Sequence, residues 1–191
     1  MKRAFLLLIA VAASAALLSF QEPTSESHRL YLEDQADRGV GDAKPLPMEE
    51  RNKRDQVRRA RIRELLEEGS LKTAEDFHDG AFIYQHGDTP NDYLLAHILA
   101  MVAVQKGDSK SLWICAATLD RYLGSVDQPQ VFGTQYHSKN DSPYTQDPYN
   151  RSLISDQLRL DFCVPSIEQQ KKNLVEFNAG RYPAGVPGCT R

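Results

Sequence analysis

The sequence predicts an all-α protein: an irregular helical domain with one tetratricopeptide-like αα-hairpin and one long polar loop. Three observations carry this. Apolar residues recur at three-to-four spacing through Leu112, Cys115, Ala116, Leu119, Tyr122 and Leu123. Helix-start signals stand before the apolar stretches, at Thr73, Thr89 and Ser166. The short turn at Gly107 joins two such stretches, as in the antiparallel pairs from which helical repeats are built. One pair does not make a solenoid, which needs several.

The chain opens with Lys2 and Arg3, then an apolar run from Ala4 to Phe20 broken by Ser14 and Ser19, with Ala13-Ser14-Ala15 as a small-x-small cleavage signal. Residues 1–20 therefore read as a secretory signal peptide, cleaved somewhere between residues 15 and 26. A membrane span needs about 20 apolar residues, and this run stops short in polar QEPTSES. The expected destination is outside the cytoplasm, periplasmic or extracellular, with no transmembrane span once the signal is removed.

Residues 21–46 form a polar lead in which HRLYLEDQADR is expected to make a short helix, turning Leu30 or Leu32 to a partner, before GVGDAKPLP breaks it. Residues 47–180 form the single helical domain. Pro47 suits a first helical position, and the helix it opens reaches Gly69, with its apolar residues sparse early (Met48, Val57) and dense late (Ile62, Leu65, Leu66). Seven basic residues, Arg51, Lys53, Arg54, Arg58, Arg59, Arg61 and Arg63, decorate it. They read as a solvated face supported by i,i+4 pairs such as Glu50 with Arg54 and Asp55 with Arg59.

Thr73 to Asp76 resembles a capping box and opens a helix with Phe77, Ala81 and Tyr84 as its buried stripe. Thr89-Pro90 starts the next, which is apolar almost all round from Tyr93 to Gln105 and so is expected at the centre of the core. Asp108 or Ser109 caps the helix after Gly107. Residues 128–148 are polar and turn-rich, a loop of the length that usually carries function or disorder, with room for a short extended piece over 129–136. Residues 152–162 suit a short helix. Ser166 to Gln169 caps a final helix ending at Gly180, and 181–191 is a Pro/Gly-rich tail.

Removing Lys2 and Arg3 lowers the basic count from 23 to 21 against 26 acidic residues, a net charge of about −5 that disfavours nucleic acid as a partner. Roughly 170 mature residues fit one domain with a sizeable core. Cys115 falls on an apolar stripe and behaves there as a small hydrophobe. Cys163 and Cys189 are the natural disulfide pair in an oxidising compartment, tying down the tail. No metal-ligand spacing and no phosphate loop is present, so no cofactor is expected.

The polar residues of the apolar segments are the candidates for chemistry. His97 sits among Leu94, Leu95, Ile98, Leu99 and Met101, as a core histidine on a loop carbonyl or as a general base. His86 lies at a helix C-terminus, where a cation is favoured. Asp120, read as lying in the last turn of its helix, opposes the dipole and needs an offset, from the amides of residues 128–134, from Arg121 or from a histidine. Arg121, Gln130, Gly133, Thr134 and Gln135 border it as candidate ligand-binding groups.

QHG, DYLLAH, LDRYL, QPQVFGTQ and DQLRLDFCVPSIEQQ together resemble an uncharacterised bacterial family of secreted or cell-envelope proteins, a domain of unknown function marked by DQxxR and QxxGTQ. The resemblance spans about Tyr31 to Gly180. It implies a helical domain with Asp55, Gln56 and Arg59, His86, Asp120 and Arg121, and Gly133, Thr134 and Gln135 at motif positions; it implies no activity. Asp34-Gln35 with Arg38 is a second copy of the same spacing.

Two functions fit. One is an exported binding or interaction module for a small molecule or protein, with a polar pocket formed by the His86 turn, the Asp120 helix end and the QPQVFGTQ loop. The other is a hydrolase-like enzyme with His97 or His86 as base and Asp120 as its orienter. The absence of a recognised nucleophile favours the first. Mass spectrometry of exported protein is expected to find an N-terminus between about residue 16 and residue 27; an intact Met1 would contradict the signal peptide.

Overall fold

The computed structural model describes residues 24–139 and 142–181. The signal peptide and Cys189, with the pairing expected of it, lie outside the described residues. Cys115 is a free, buried thiol. The described chain is all-α: α1 (Glu26–Asp37), α2 (Met48–Glu67), α3 (Ala74–Tyr84), α4 (Pro90–Gln105), α5 (Ser111–Ser125), α6 (Asp156–Asp161) and α7 (Ile167–Asn178). The only extended pairings among the described residues are the isolated bridges Gln130–Tyr149 and His137–Thr145. No described helix is long and apolar enough to cross a membrane.

Helix starts follow side-chain chemistry. Thr73 and Thr89 each accept from a backbone N–H three residues on, while Asp76 and Asp92 reach back to the caps, satisfying two orphan donors apiece. Ser25, Ser155 and Ser166 cap α1, α6 and α7. Two boundaries differ from expectation. Pro47 is the N-cap of α2 rather than its first residue. α5 has Lys110 as an N-cap without a side-chain bond, because Asp108 binds the Lys110 N–H at 3.1 Å and the Ser111 hydroxyl at 2.7 Å and so closes the turn one step earlier.

The centre of the core is α3, which packs against α1, α2, α4 and α5. The sequence placed α4 there, and side-chain size explains the difference. α4 turns Ala96, Leu99, Ala100 and Ala103 inward, small residues that let its backbone approach α3 and α5. Leu94, Ile98 and Met101, one helical stripe, stay 37 to 47% exposed. Gly80 completes the approach: a Cβ there would stand 3.3 Å from Leu99 Cδ1. Around this contact lie Ile62, Leu65, Leu71, Ala81, Ile83, Tyr84, Ile114 and Cys115. Leu30, not Leu32, is the buried leucine of α1. A second small core, Ala116, Phe132 and Val164, forms on the other side of α5.

α2 departs most from its sequence reading. Met48 and Val57 are exposed and Ile62 and Leu65 are buried, as expected. The basic run is solvated only in part: Lys53, Arg54 and Arg63 are exposed, while Arg58 and Arg59 are buried. Arg58 is 2% exposed, and Asp34 and Asp37 of α1 and Asp55 of α2 are buried with it. Arg38 bridges Asp34 at 2.8 Å and Asp55 at 2.7 Å. Arg58 bonds Asp55 at 2.9 Å and also Asp37, and Arg54 reaches Asp37 at 2.6 Å. Arg54 and Arg58 thus reach across to Asp37 of α1, and the i,i+4 pairs named for Arg54 and Arg59 do not form, although Lys53 keeps an i,i+4 partner in Glu49 at 2.8 Å. The two DQxxR copies face each other: Arg38 of one holds Asp55 of the other.

α1 is also fastened to α3 by polar groups. Ser27 donates to Asp76 at 2.6 Å, and His28 Nδ1 bonds Asp79 Oδ2 at 3.0 Å. Asp79 is 1% exposed. Burial raises its pKa far above the ordinary carboxylate range, with the His28 bond opposing the shift. A carboxyl whose folded pKa is raised contributes stability that is complete below its unfolded pKa and is lost as pH rises through the folded one. The Asp79→Asn variant should therefore lose less unfolding free energy than the parent between about pH 4 and pH 7, measured by urea titration; an equal or larger loss would contradict this.

Candidate functional site

The turn after α3 is held by α2. Arg59 donates to the His86 carbonyl at 2.6 Å and to Asp88 at 2.5 Å, and the Tyr84 hydroxyl donates to the Arg59 carbonyl at 2.9 Å. The His86 side chain crosses to α1, where Nδ1 meets Asp34 Oδ1 at 3.2 Å. It serves that buried carboxylate instead of capping its own helix. Burial lowers the His86 pKa against the pull of Asp34, and Arg38 and Arg121 lower it further. Two cations from α1 and α5 thus act on one imidazole.

Tyr93, in the first turn of α4, donates to the Gly87 carbonyl at 2.8 Å. On one side of it a cleft of about 310 Å³ is walled by Arg38, Arg51, Asn52, Asp55, His86, Asp88 and Arg121. On the other a cleft of about 430 Å³ is walled by Asp120, Arg121, Gln128, Gln130, Gln135, His137 and Lys139. Tyr93 and Arg121 belong to both. The His86 turn, the Asp120 helix and the QPQVFGTQ loop therefore meet at these two residues.

Arg121 is the unusual member. Its Nε is buried and has no partner; among the described residues its side chain makes no hydrogen bond or ion pair. Burial lowers its pKa and Tyr93 pulls in the opposite direction. The dipole of α5 does not explain it, since no basic residue occupies the last turn of that helix. Buried polar groups ordinarily have partners.

Asp120, by contrast, is saturated. Oδ1 accepts from Val131 N at 2.7 Å and Phe132 N at 3.0 Å, and Oδ2 from Thr134 N at 2.9 Å and Thr134 Oγ1 at 2.8 Å. The offset expected for this carboxylate comes from the loop amides and not from Arg121. Because α5 continues to Ser125, Asp120 stands a turn before the helix end and not in the last turn. The candidate ligand groups around it have partners within the protein. Gln130 Oε1 accepts from Gln135 N at 3.0 Å while its Nε2 donates to the Gln135 and Gln146 carbonyls. Gln135 Nε2 meets Thr134 Oγ1 at 2.9 Å. Gly133 has φ 80, and any Cβ on it would overlap Gln170 and Tyr149.

The loop rests on side chains the sequence did not single out. Gln170 of α7 donates to the Phe132 carbonyl at 2.9 Å, and Gln146 to Gln170 Oε1 at 3.1 Å. The Tyr149 hydroxyl donates to the Phe132 carbonyl at 3.0 Å and accepts from Arg159 Nε at 2.9 Å. Arg159 is fully buried, its other nitrogens on the Ile154 and Arg151 carbonyls. An extended piece was expected over 129–136; only the bridge at Gln130 forms, because the backbone there turns its amides onto Asp120.

His97 Nδ1 lies 3.0 Å from the Cys115 carbonyl, a helix carbonyl where a loop carbonyl was expected. No hydrogen bond joins His97 or His86 to Asp120. Among the described residues no three His, Cys, Asp or Glu side chains group as a metal would need. A third cleft of about 450 Å³, beside α1 and α3, carries His28, Tyr31, Glu75, His78, Asp79 and Asp108.

Comparison with protein-family models, with curated proteins and with solved structures finds no match to the chain. The site's residues are its own guide. In urea unfolding, Asp120→Asn should destabilise by about 1.5 to 3 kcal/mol, since it replaces a charge-assisted acceptor of four bonds with an amide that must point one donor at donors. Parent-like stability would contradict the clamp.

Proposed function

We propose that the protein is an exported binding module that receives a small polar molecule in the paired clefts at Tyr93 and Arg121. The observation that carries this is the unpartnered Arg121 side chain, shared by both clefts, in a neighbourhood where every other buried charge has a partner. Volumes of about 310 and 430 Å³ suit small metabolites or head groups. Export rests on the N-terminal signal. The Ser25 cap and the Ser27 bond to Asp76 favour a mature chain beginning at or before Ser25.

The hydrolase reading finds no support in the geometry. It needs a histidine oriented by Asp120, yet both Asp120 oxygens are taken by loop donors. His86 is oriented by Asp34 instead, with no serine, threonine or cysteine on the wall of its cleft. The motif residues that carry the family resemblance, Asp55, Arg59, His86, Asp120, Arg121 and Gly133 to Gln135, lie in or directly behind these walls, and membership of that family remains part of this proposal.

A thermal-shift screen of small charged and neutral polar compounds tests the reading. A true ligand at a hundred times its dissociation constant should stabilise by about 2.7 kcal/mol, and chromatography should recover it unchanged after incubation. Chemical conversion of the bound compound would overturn the reading in favour of an enzyme. A screen without a hit would count against a small-molecule site.

A further inference from the structure

We infer that the group received at Arg121 is an oxyanion, a carboxylate or phosphate, held between the Arg121 and Arg51 guanidiniums beside His86. This rests on the binding reading above. Charge within the smaller cleft is unbalanced. Its carboxylates are already neutralised: Asp55 by Arg38 at 2.7 Å and Arg58 at 2.9 Å, Asp88 by Arg59 at 2.5 Å. Asp34, behind the wall, is held by Arg38 at 2.8 Å and by His86. Among the described residues, Arg51 and Arg121 have no such partner, and both face this cleft.

A part-buried guanidinium without an anion bears a desolvation penalty that nothing in the protein offsets. An oxyanion offsets it, because two of its oxygens match the guanidinium fork. A neutral ligand leaves the imbalance in place. His86 supplies a further donor once its ring is protonated: Nδ1 is held by Asp34, its Nε2 makes no hydrogen bond among the described residues, and that nitrogen carries a proton for an anion only in the imidazolium. Arg38 and Arg121 disfavour its protonation now; an anion between the cations reverses that influence. The groups that face His86 are Asp34 and Arg38 of α1 and its end, Arg51 and Asp55 of α2, Asp88 of the turn, Tyr93 of α4 and Arg121 of α5.

The test titrates acetate, inorganic phosphate and, as the neutral control, glycerol into the protein at constant ionic strength, followed by calorimetry and by the His86 ring resonances. Saturable binding of acetate or phosphate is expected, and the stronger of the two identifies the head group. Affinity should fall at least about tenfold in Arg121→Gln, a change of roughly 1.4 kcal/mol, and less in Arg121→Lys, which keeps the charge. The bound anion should move the His86 titration midpoint upward. Arg51→Gln, whose parent side chain makes no hydrogen bond or ion pair among the described residues, should weaken binding without altering the melting temperature. Equal anion affinity in Arg121→Gln and parent, or binding that leaves His86 unmoved, overturns the inference. A neutral compound from the thermal screen that binds Arg121→Gln as well as the parent overturns the oxyanion while sparing the binding module. Binding of neither neutral nor charged compounds overturns both.

Discussion

The contact between α1 and α2 is made of charge. Asp34 and Asp37 on α1 meet Asp55 and Arg58 on α2 with Arg38 between them, all but Arg38 buried. Neither helix has the apolar surface to define this docking alone; α1 contributes one buried leucine, Leu30. Buried ion pairs are weak sources of net stability, because desolvation offsets most of their attraction. They are demanding about geometry, however, since a slip of one residue leaves a buried charge unpaired. The cluster therefore acts as a register for α1, and the Ser27 and His28 contacts to α3 act with it.

That register matters at the candidate site because α1 supplies Asp34 and its C-cap residue Arg38, and Asp34 orients His86. A second polar device works from the opposite side. Asp120 gathers three loop amides and a hydroxyl, and Gln130, Gln146, Gln170 and Tyr149 complete the loop's bonding. Both devices are closed systems of matched donors and acceptors. Arg121 lies between them and is matched to neither, which is why the open chemistry of the molecule converges on it.

Much of this was legible in the sequence where local chemistry decides the outcome. The threonine and serine caps, the glycine stops, the hairpin around Gly107 and the binding of Asp120 by the following loop all depend on a few neighbouring residues. What the sequence hid depends on residue pairs far apart. The basic run of α2 has the composition of a solvated face, and only the facing carboxylates of α1 and the turn after α3 draw Arg58 and Arg59 out of it into the interior. The doubled DQxxR spacing was the available signal, since two copies can pair with each other. α4 reads as a core helix by hydropathy, yet its alanines set which face packs. Arg159, Gln146 and Gln170 carry no local mark, because their partners are backbone carbonyls that only the folded loop brings together.

The claim most open to direct test is that charge pairing joins these helices. A double-mutant cycle on Asp37→Asn of α1 and Arg58→Met of α2, a pair that spans the two helices, isolates the pairwise term when read by urea unfolding. The account predicts a coupling energy of about 0.5 to 3 kcal/mol, the range for residues sharing one network. A coupling near zero would contradict it, leaving α1 held by its apolar contacts and the cluster as a consequence of the fold instead of its register.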